Sequence, residues 1–204
     1  MLFRSRFFYI WNFLSQHKND YRFCVVTDVR DVIFQEDPTV FLKTKLHKNR
    51  MVISSEGLCY NDEPWNNNNM LEAFGPFFQE FYGDRLIYNV GVIGGYIGEV
   101  TDTLLLLFQM SMNRPIPIVD QVVFNFMMYN KPYNDMTFAA TNSSGWAAQL
   151  GTTKYAIESG AGDLGMSIKM NPEKMKDYEK AYQDIQPEIR GHEVFVGEIG
   201  RAHV

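Results

Sequence analysis

Residues 23–38, FCVVTDVRDVIFQEDP, decide the fold class of this chain. The first four are apolar or β-branched, which predicts a strand buried on both faces of a sheet. The strand leads into residues 27–31 (TDVRD), and an apolar run then resumes. In open α/β sheets, ligands bind in the crevice at the carboxyl ends of the strands. Two carboxylates and a guanidinium at that edge suit a divalent cation and a diphosphate. The alternative is a surface turn in which the Asp side chains bond nearby amides.

Length and composition point to one α/β domain. The 204 residues are enough to build a proper core. The net charge of −5 and the sequence pI of about 5.4 argue against a nucleic-acid partner. The densest apolar run, residues 103–108, is far shorter than the roughly 20 residues that a membrane helix needs, so we predict no membrane segment. The two cysteines show neither zinc spacing nor a disulfide framework.

The two ends of the chain have a separate interpretation. Residues 1–5 (MLFRS) and 198–204 (EIGRAHV) can be encoded by nucleotide strings that match opposite strands of a widely used sequencing adapter. We therefore expect a single, partial catalytic domain over residues 6–197, with both ends as artefacts of sequencing. His203 would then be an artefact and not a ligand.

Hydrophobic periodicity predicts an alternation of helices and strands. Helices are expected at residues 6–17, 39–46, 99–112, 120–129 and 171–182. One or two more should cover residues 70–82, broken at Gly75 and Pro76. A strand is expected at residues 51–54, a strand, glycine-rich bend and strand at 86–97, and short strands within 137–169. Residues 61–69 (NDEPWNNNN) are predicted to be a loop, and Asp120 to be a helix N-cap.

Three further patterns carry chemistry. Glycines within residues 88–95 (YNVGVIGG) predict a bulge or a close ligand approach, the alternative being a hairpin turn at Gly94 and Gly95. Gln121 and Asn125 are four residues apart and share a helix face. Glu56 after the second predicted strand, and Trp146 on a loop, are residue types that contact sugars.

Together these motifs resemble those of the glycosyltransferases with a GT-A fold. The matching segments are TDVRDVIFQEDP, SSEG, IYNVGVIGG and VDQVVFNFMMY, in that order over roughly residues 6–149. The resemblance implies a Rossmann-like mixed sheet flanked by helices, without the N-terminal strands that bind the nucleoside. It also implies a hexosyltransferase-like enzyme. The compartment would be the bacterial cytoplasm or the Golgi lumen.

The resemblance also implies roles for individual residues. Asp28 and Asp31 correspond to the motif that holds a metal and a diphosphate, with Mn²⁺ or Mg²⁺ as cofactor. Arg30 stands where the family usually has a second Asp, so the diphosphate would be held by the metal, by Arg30 or by both. The residues expected to line the donor are Asn89, Gly91, Gly94, Gly95, Gln121 and Trp146. A late metal-binding His is expected beyond residue 197, and His192 is a poor substitute.

The implied reaction moves a sugar from a nucleoside-diphosphate sugar to a hydroxyl of a glycan or other acceptor. If the enzyme inverts the anomeric centre, Asp120 is the first candidate for the general base and Glu56 the second. Two alternatives remain open at this point. They are a non-catalytic sugar-binding relative and a sugar-phosphate nucleotidylyltransferase of the same fold class. A haloacid-type phosphatase would need an acidic residue at position 30.

Overall fold

The computed structural model describes residues 2–28, 32–34, 36–46, 48–116, 118–141, 144–149 and 166–167. The helices are α1 (Leu2–Gln16), α2 (Pro38–Lys45), α3 (Pro64–Phe74), α4 (Pro76–Tyr82), α5 (Ile97–Met112), α6 (Asp120–Tyr129) and α7 (Tyr133–Met136). The strands are β1 (Phe23–Thr27), β2 (Val32–Ile33), β3 (Met51–Cys59), β4 (Leu86–Tyr96), β5 (Thr137–Ala140), β6 (Ala148–Gln149) and β7 (Met166–Ser167). The strands form a four-stranded sheet in the order β1-β4-β3-β5 and a small sheet in the order β2-β7-β6.

The larger sheet is mixed. β4 is antiparallel to both β1 and β3, whereas β5 runs parallel to β3. In the part of the chain that the structure describes, β1 lies at the edge of this sheet, and all five of its residues are half-buried. The prediction of a strand covered on both faces is confirmed in part, because Cys24 and Val26 pack against one core cluster and Phe23 and Val25 against the other, although each is only half-buried.

Helices cover both faces of the larger sheet. Alternate residues of each strand point to opposite faces, so Met51 and Ile53 join one core cluster while Val52 joins the other. The first cluster packs under α1, α5 and α6, and α1 lies directly against α5. The second, smaller cluster packs under α2 and includes Trp146. The molecule is thus a layered α/β structure with helices on either side of a central sheet.

Most predicted elements are present with shifted ends. The helices at the start of the chain, after Asp37, and around residues 99–112 and 120–129 are confirmed. The break at Gly75 and Pro76 is also confirmed, since α3 ends at Phe74 and α4 begins at Pro76. The helix predicted over residues 171–182 lies outside the described residues.

Two local predictions are wrong. Residues 61–69 are not a loop, because Glu63 caps α3 by accepting the amide hydrogens of Trp65 and Asn66, and Pro64 occupies the first helical turn. Asp120 is not the N-cap of α6 but its first helical residue, and Val119 takes the cap position.

The glycine-rich segment is also not two strands around a bend or a hairpin. β4 runs without a break from Leu86 to Tyr96, and its register against β3 shifts instead. Ile53 pairs with Ile93 and Ser54 pairs with Asn89, so residues 90–92 of β4 bulge away from β3. The bulge that the glycines predicted is therefore confirmed.

None of the helices in the described ranges combines the length and the apolar character needed to cross a membrane.

Candidate active site

Two bulges on neighbouring strands build the centre of the candidate site. The first is the segment of residues 90–92 on β4, and the second is residues 56–58 on β3, between the pairs Ser55–Tyr88 and Cys59–Leu86. Gly57 adopts a φ of 75° within the second bulge, a backbone conformation that favours glycine. Bulges redirect side chains and are frequent next to active sites. Here they turn Glu56 and Asn89 towards each other.

The β4 bulge brings the strand against the end of β1. The Asp28 amide donates to the Gly91 carbonyl at 2.8 Å, and the Gly91 amide donates to Asn89 Oδ1 at 2.7 Å. A Cβ atom at position 91 would lie 2.6 Å from Asp28 Oδ2 and 2.8 Å from Asn89 Oδ1. A side chain at position 91 would therefore displace the Asp28 carboxylate, the Asn89 amide or both.

The β3 bulge holds a buried carboxylate in a network of amides. Glu56 is 5% exposed, and its Oε1 atom accepts hydrogen bonds from Asn89 Nδ2 at 3.3 Å and Gln121 Nε2 at 3.0 Å. Gln121 Nε2 also lies 3.0 Å from Asn66 Oδ1, at the start of α3. Side chains from β3, β4, α3 and α6 thus meet around a single carboxylate.

Helix α6 is fixed to the irregular half of β4 by side chains. Asn125 Oδ1 accepts the Tyr88 amide at 2.7 Å, and Asn125 Nδ2 donates to the Tyr88 carbonyl at 2.7 Å. The Tyr129 hydroxyl donates to the Leu86 carbonyl at 2.7 Å. Because backbone groups seldom remain unpaired when buried, these contacts hold the first turn of α6, with Asp120 and Gln121, over the strand.

Arg6 on α1 joins the two carboxylates at the edge of the site. Its Nη1 atom lies 2.5 Å from Asp28 Oδ1, and its Nη2 atom lies 3.1 Å from Asp120 Oδ2. The side chains of Arg6 and Asp28 are each 33% exposed, whereas that of Asp120 is 6% exposed. One guanidinium therefore spans a half-exposed and a buried carboxylate that come from the end of β1 and the start of α6.

Opposing effects act on the pKa of Asp120. Burial raises the pKa of Asp120, while the positive charge of Arg6 and hydrogen bonds from the backbone lower it. The negative charge of Asp28 adds a smaller upward contribution to the same pKa. The net pKa of Asp120 is raised, which brings the carboxyl closer to the range useful to a general base.

The carboxylate pair fits a divalent cation only in part. Asp28 and Asp120 each bond to the Arg6 guanidinium through a carboxylate oxygen. Such oxygens are the ligands that Mn²⁺ and Mg²⁺ accept. Within the described ranges, no group of three or more His, Cys, Asp or Glu side chains could hold a metal ion. Mg²⁺ commonly binds through one or two carboxylates and completes its shell with phosphates and waters. Among the described residues the pair alone therefore does not complete a metal site, and phosphate oxygens would have to supply the remaining ligands.

The structure does not bring every predicted residue into this cluster. Gly94 lies under the Trp146 ring, where a Cβ atom would come within 2.5 Å of the indole. Trp146 itself is 6% exposed and packs against Phe41 in the second core cluster, with ring centroids 5.1 Å apart. A Cβ atom on Gly95 would meet the Arg50 carbonyl at 2.5 Å. These three residues have packing roles here, and their predicted contact with the donor stays a prediction.

Arg30 and Asp31 lie outside the described residues, as does His192, so the proposed participation of Arg30 and Asp31 in diphosphate binding also stays a prediction.

An open cavity of about 330 Å³ lies at the opposite end of β1 from Asp28. It is lined by Arg22, Phe23, Leu42, Lys43, Leu46 and Tyr96. Phe23 and Tyr96 pair across β1 and β4, and Thr27 at the other end of β1 pairs with Val92. The cavity is thus separated from the polar cluster by the length of a strand, and none of the predicted site residues lines it.

Comparison with known proteins gives a fold. No protein-family model and no curated protein matches the sequence. Among solved structures, the chain is similar to a glycosyltransferase involved in the glycosylation of the major capsid of PBCV-1. The similarity has a TM-score of 0.50 and a sequence identity of 8%, and it covers 86% of this chain and 74% of that one. At this identity the likeness shows the fold alone.

The chain accordingly has a glycosyltransferase-like α/β fold, with a mixed four-stranded sheet flanked by helices. The prediction of this general architecture is confirmed.

Sequence reasoning missed two residues of the cluster. The sequence predicts Arg6 only as the start of a helix, although an arginine on a helix that packs against the core needs a partner for its charge. The sequence also predicts a loop at Asn66, whereas the structure buries this residue fully in α3. The combination of Glu63 and Pro64 was the available signal for that helix start.

Proposed function

We propose that this chain is a GT-A-type glycosyltransferase that moves a sugar from a nucleoside-diphosphate sugar to a hydroxyl of an acceptor. The observation that carries the proposal is a cluster of polar side chains beside the carboxyl ends of β1 and β3. Its members are Asp28, Glu56, Asn89, Asp120 and Gln121. The similarity of fold to a glycosyltransferase supports it. The substrates of that protein play no part in the proposal.

The half-exposed edge of the cluster suits the diphosphate. Asp28 and Arg6 lie at the carboxyl end of β1 and are each 33% exposed, so a ligand can reach both groups. A guanidinium binds phosphate through two parallel hydrogen bonds, and it is a strong counter-charge for a departing diphosphate. In this proposal Arg30 and Asp31 also take part in holding the diphosphate.

The buried part of the cluster suits the sugar. Glu56, Asn89 and Gln121 offer one carboxylate and two amides, which together can donate to and accept from ring hydroxyls. The three side chains already hydrogen-bond to one another and so hold their positions before a ligand binds. Preorganised polar groups of this kind fix a ligand at little cost in reorganisation.

Asp120 is the proposed general base if the reaction inverts the anomeric centre, with Glu56 second. Asp120 is held from two sides, by Arg6 and by the Gln121 amide, which donates to Asp120 Oδ1 at 3.1 Å. A bound Mn²⁺ or Mg²⁺ would be held by Asp28 with the phosphates and would supply positive charge to the leaving group.

Donor binding without transfer is the second candidate function. It is favoured by one observation, namely that the Arg6 guanidinium already pairs with both carboxylates and offsets half of their negative charge. A binding protein needs this charge balance, whereas an enzyme must in addition expose a base to its acceptor.

The proposal is tested by calorimetric titration of UDP and GDP, with and without Mn²⁺. The wild-type chain should bind one of the two nucleotides, and Asp28→Asn should weaken that binding at least tenfold. Asp102→Asn is the matched control, since Asp102 is an exposed residue that pairs with Lys18 on the surface. Inorganic pyrophosphate is titrated as well, since it needs only the diphosphate part of the site, and failure of the wild-type chain to bind either nucleotide or pyrophosphate would contradict the proposal.

Transfer is then distinguished from binding by following nucleoside-diphosphate release from a panel of nucleotide sugars. Release that Asp120→Asn abolishes supports the enzyme. Tight binding with no release from any donor supports the second candidate.

A further inference from the structure

The open cavity at the start of β1 has an apolar interior. Leu42 of α2 and Leu46, at the C-cap of that helix, line it and are only 2% and 3% exposed. Phe23 and Tyr96 add two half-buried aromatic rings, whose centroids lie 4.9 Å apart. A volume of about 330 Å³ falls within the range of small-molecule sites, which are mostly lined by such side chains.

Two exposed cations, Arg22 and Lys43, also line this cavity. Neither of them forms an ion pair with a carboxylate in the part of the chain that the structure describes. Hydrogen bonds from Thr39 lower the pKa of Asp37, and the positive charge of Lys43 adds a smaller decrease. Asp37, however, caps α2 by accepting the Thr39 amide and is not paired with Lys43. The cavity therefore presents two positive charges to a ligand.

The Arg22 guanidinium is held beside the two aromatic rings. Its central carbon lies 5.1 Å from the Phe23 ring centroid and 5.5 Å from that of Tyr96, and Nη2 donates to the Tyr96 hydroxyl at 3.4 Å. Such cation–π contacts orient the guanidinium without offsetting its charge. Arg50 also lies against the Tyr96 ring, at 3.9 Å, but pairs with Glu99 at 2.7 Å. Of these two arginines, only Arg22 keeps its charge available to an anion.

We propose that this cavity binds a small aromatic molecule that carries a phosphate monoester. A phosphate monoester has nearly two negative charges at neutral pH, which match the two cations. Arg22 can bind two phosphate oxygens with its planar fork, and Lys43 adds a point charge on a flexible stem. The aromatic body packs against Phe23 and Tyr96, since ring pairs attract beyond the area that they bury. Binding at this cavity is independent of the proposed sugar transfer.

The lining distinguishes this ligand from a nucleotide. Of the six described residues around the cavity, Tyr96 alone has an uncharged polar side-chain group. A ribose and the polar edge of a base would therefore lose hydrogen bonds to water and gain few in return. The cavity is also remote from the polar cluster, because the five steps of β1 from Phe23 to Asp28 span roughly 17 Å. A small ligand here does not reach the proposed donor site.

The experiment titrates 2-naphthyl phosphate into the ¹⁵N-labelled full chain and follows the amide chemical shifts. The shifts should concentrate at Phe23, Lys43 and Tyr96, and that of Asp28 should not change. 2-Naphthol has the same ring without the charge, and inorganic phosphate has the charge without the ring. Each should bind at least tenfold more weakly than the ester. No shifts at the cavity with the ester, or equally tight binding of either fragment, would overturn the proposal.

Two variants test the cations separately. Arg22→Gln and Lys43→Gln should each weaken binding of the ester at least fivefold. Lys45→Gln is the matched control, since Lys45 lies in the same last turn of α2 as Lys43 but does not line the cavity. All three side chains are exposed, so we expect unchanged thermal melting. Unchanged affinity in both cavity variants, or the same loss in the control, would overturn the assignment of the phosphate to these cations.

Decyl phosphate distinguishes an aromatic ligand from a lipid-like one. It has as many carbon atoms as the naphthyl ester, but its flexible chain loses more conformational entropy on binding and cannot pair with the aromatic rings. It should therefore bind at least threefold more weakly than 2-naphthyl phosphate. Equal or tighter binding of decyl phosphate would overturn the aromatic part of the proposal and assign the cavity to an acyl or alkyl chain.

Discussion

The two halves of β4 are held in different ways. From Val92 to Tyr96 the strand is paired with the backbone of β1, and residues 93–95 are also paired with β3. From Leu86 to Gly91 the pairing with β3 shifts twice, and side chains of α6 bond to the strand backbone instead. Backbone pairing accepts many sequences, whereas side-chain pairing requires particular residues at particular positions. The candidate site lies entirely beside residues 86–91, the irregular half.

The largest expected difference between the halves concerns Asn125. Replacing it with leucine leaves the half-buried amide and carbonyl of Tyr88 without their partner, and we expect a loss of about 2–3 kcal/mol in the free energy of unfolding. Ile93→Val in the regular half should cost only about 1 kcal/mol, because one methylene is removed from a fully buried side chain. Urea unfolding measures both values. Equal costs would remove the distinction between the two halves.

A smaller effect is expected from an added methyl group at the β4 bulge. Gly91→Ala places a Cβ atom within 2.8 Å of both Asp28 and Asn89, and we expect it to destabilise the fold by about 1–3 kcal/mol. It should also weaken nucleotide binding, since both side chains must move. Gly98→Ala in α5 is the matched control, because its Cβ atom meets nothing within 4 Å. The control should be neutral or more stable by about 0.5 kcal/mol.

The sequence predicts the regular half of β4 better than the irregular half. Apolar periodicity was enough for α5, α6, β1 and the regular part of β4, because these elements follow from burial of alternate or helical faces. Polar residues at strand ends also indicated Asp28 and Glu56, whereas Asn89 was indicated by the family resemblance and Gln121 by its helix face together with that resemblance. The glycines indicated a bulge in β4, but the bulge in β3 and the exact register of the two strands were beyond reach, since they depend on how the strands fit α6 and not on either strand alone.

Arg6 illustrates the same limit at longer range. Its partners lie 22 and 114 residues further along the chain, and nothing in the local sequence of α1 points to either of them.

The helix that begins at Pro64 is a different case. Its capping residue was visible, but the low helix propensity of the Asn run outweighed it. Local preferences were overridden there by burial of Asn66 and Met70 against the core.

The smallest expected effect is a pH dependence from Asp120. Its raised pKa means that the folded chain binds this proton more tightly than the unfolded chain, whose value is near 3.8. As the pH rises from 3.8 through the folded pKa, the folded state should therefore lose stability relative to Asp120→Asn. The difference in unfolding free energy, wild type minus variant, should fall across this window and then level off. A difference that rises with pH would show that Arg6 outweighs burial.

The most direct test of the site is amide chemical-shift mapping of the ¹⁵N-labelled chain during titration with UDP and GDP. If the irregular half of β4 forms the donor site, the shifts should concentrate at Asp28, Asn89, Gly91 and Gln121. The amide chemical shifts of Phe23 and Tyr96, at the other end of the same strand pair, should not change. Shifts centred on Phe23 and Tyr96, beside the open cavity, or no shifts with either nucleotide, would contradict the assignment of the donor site to the two bulges.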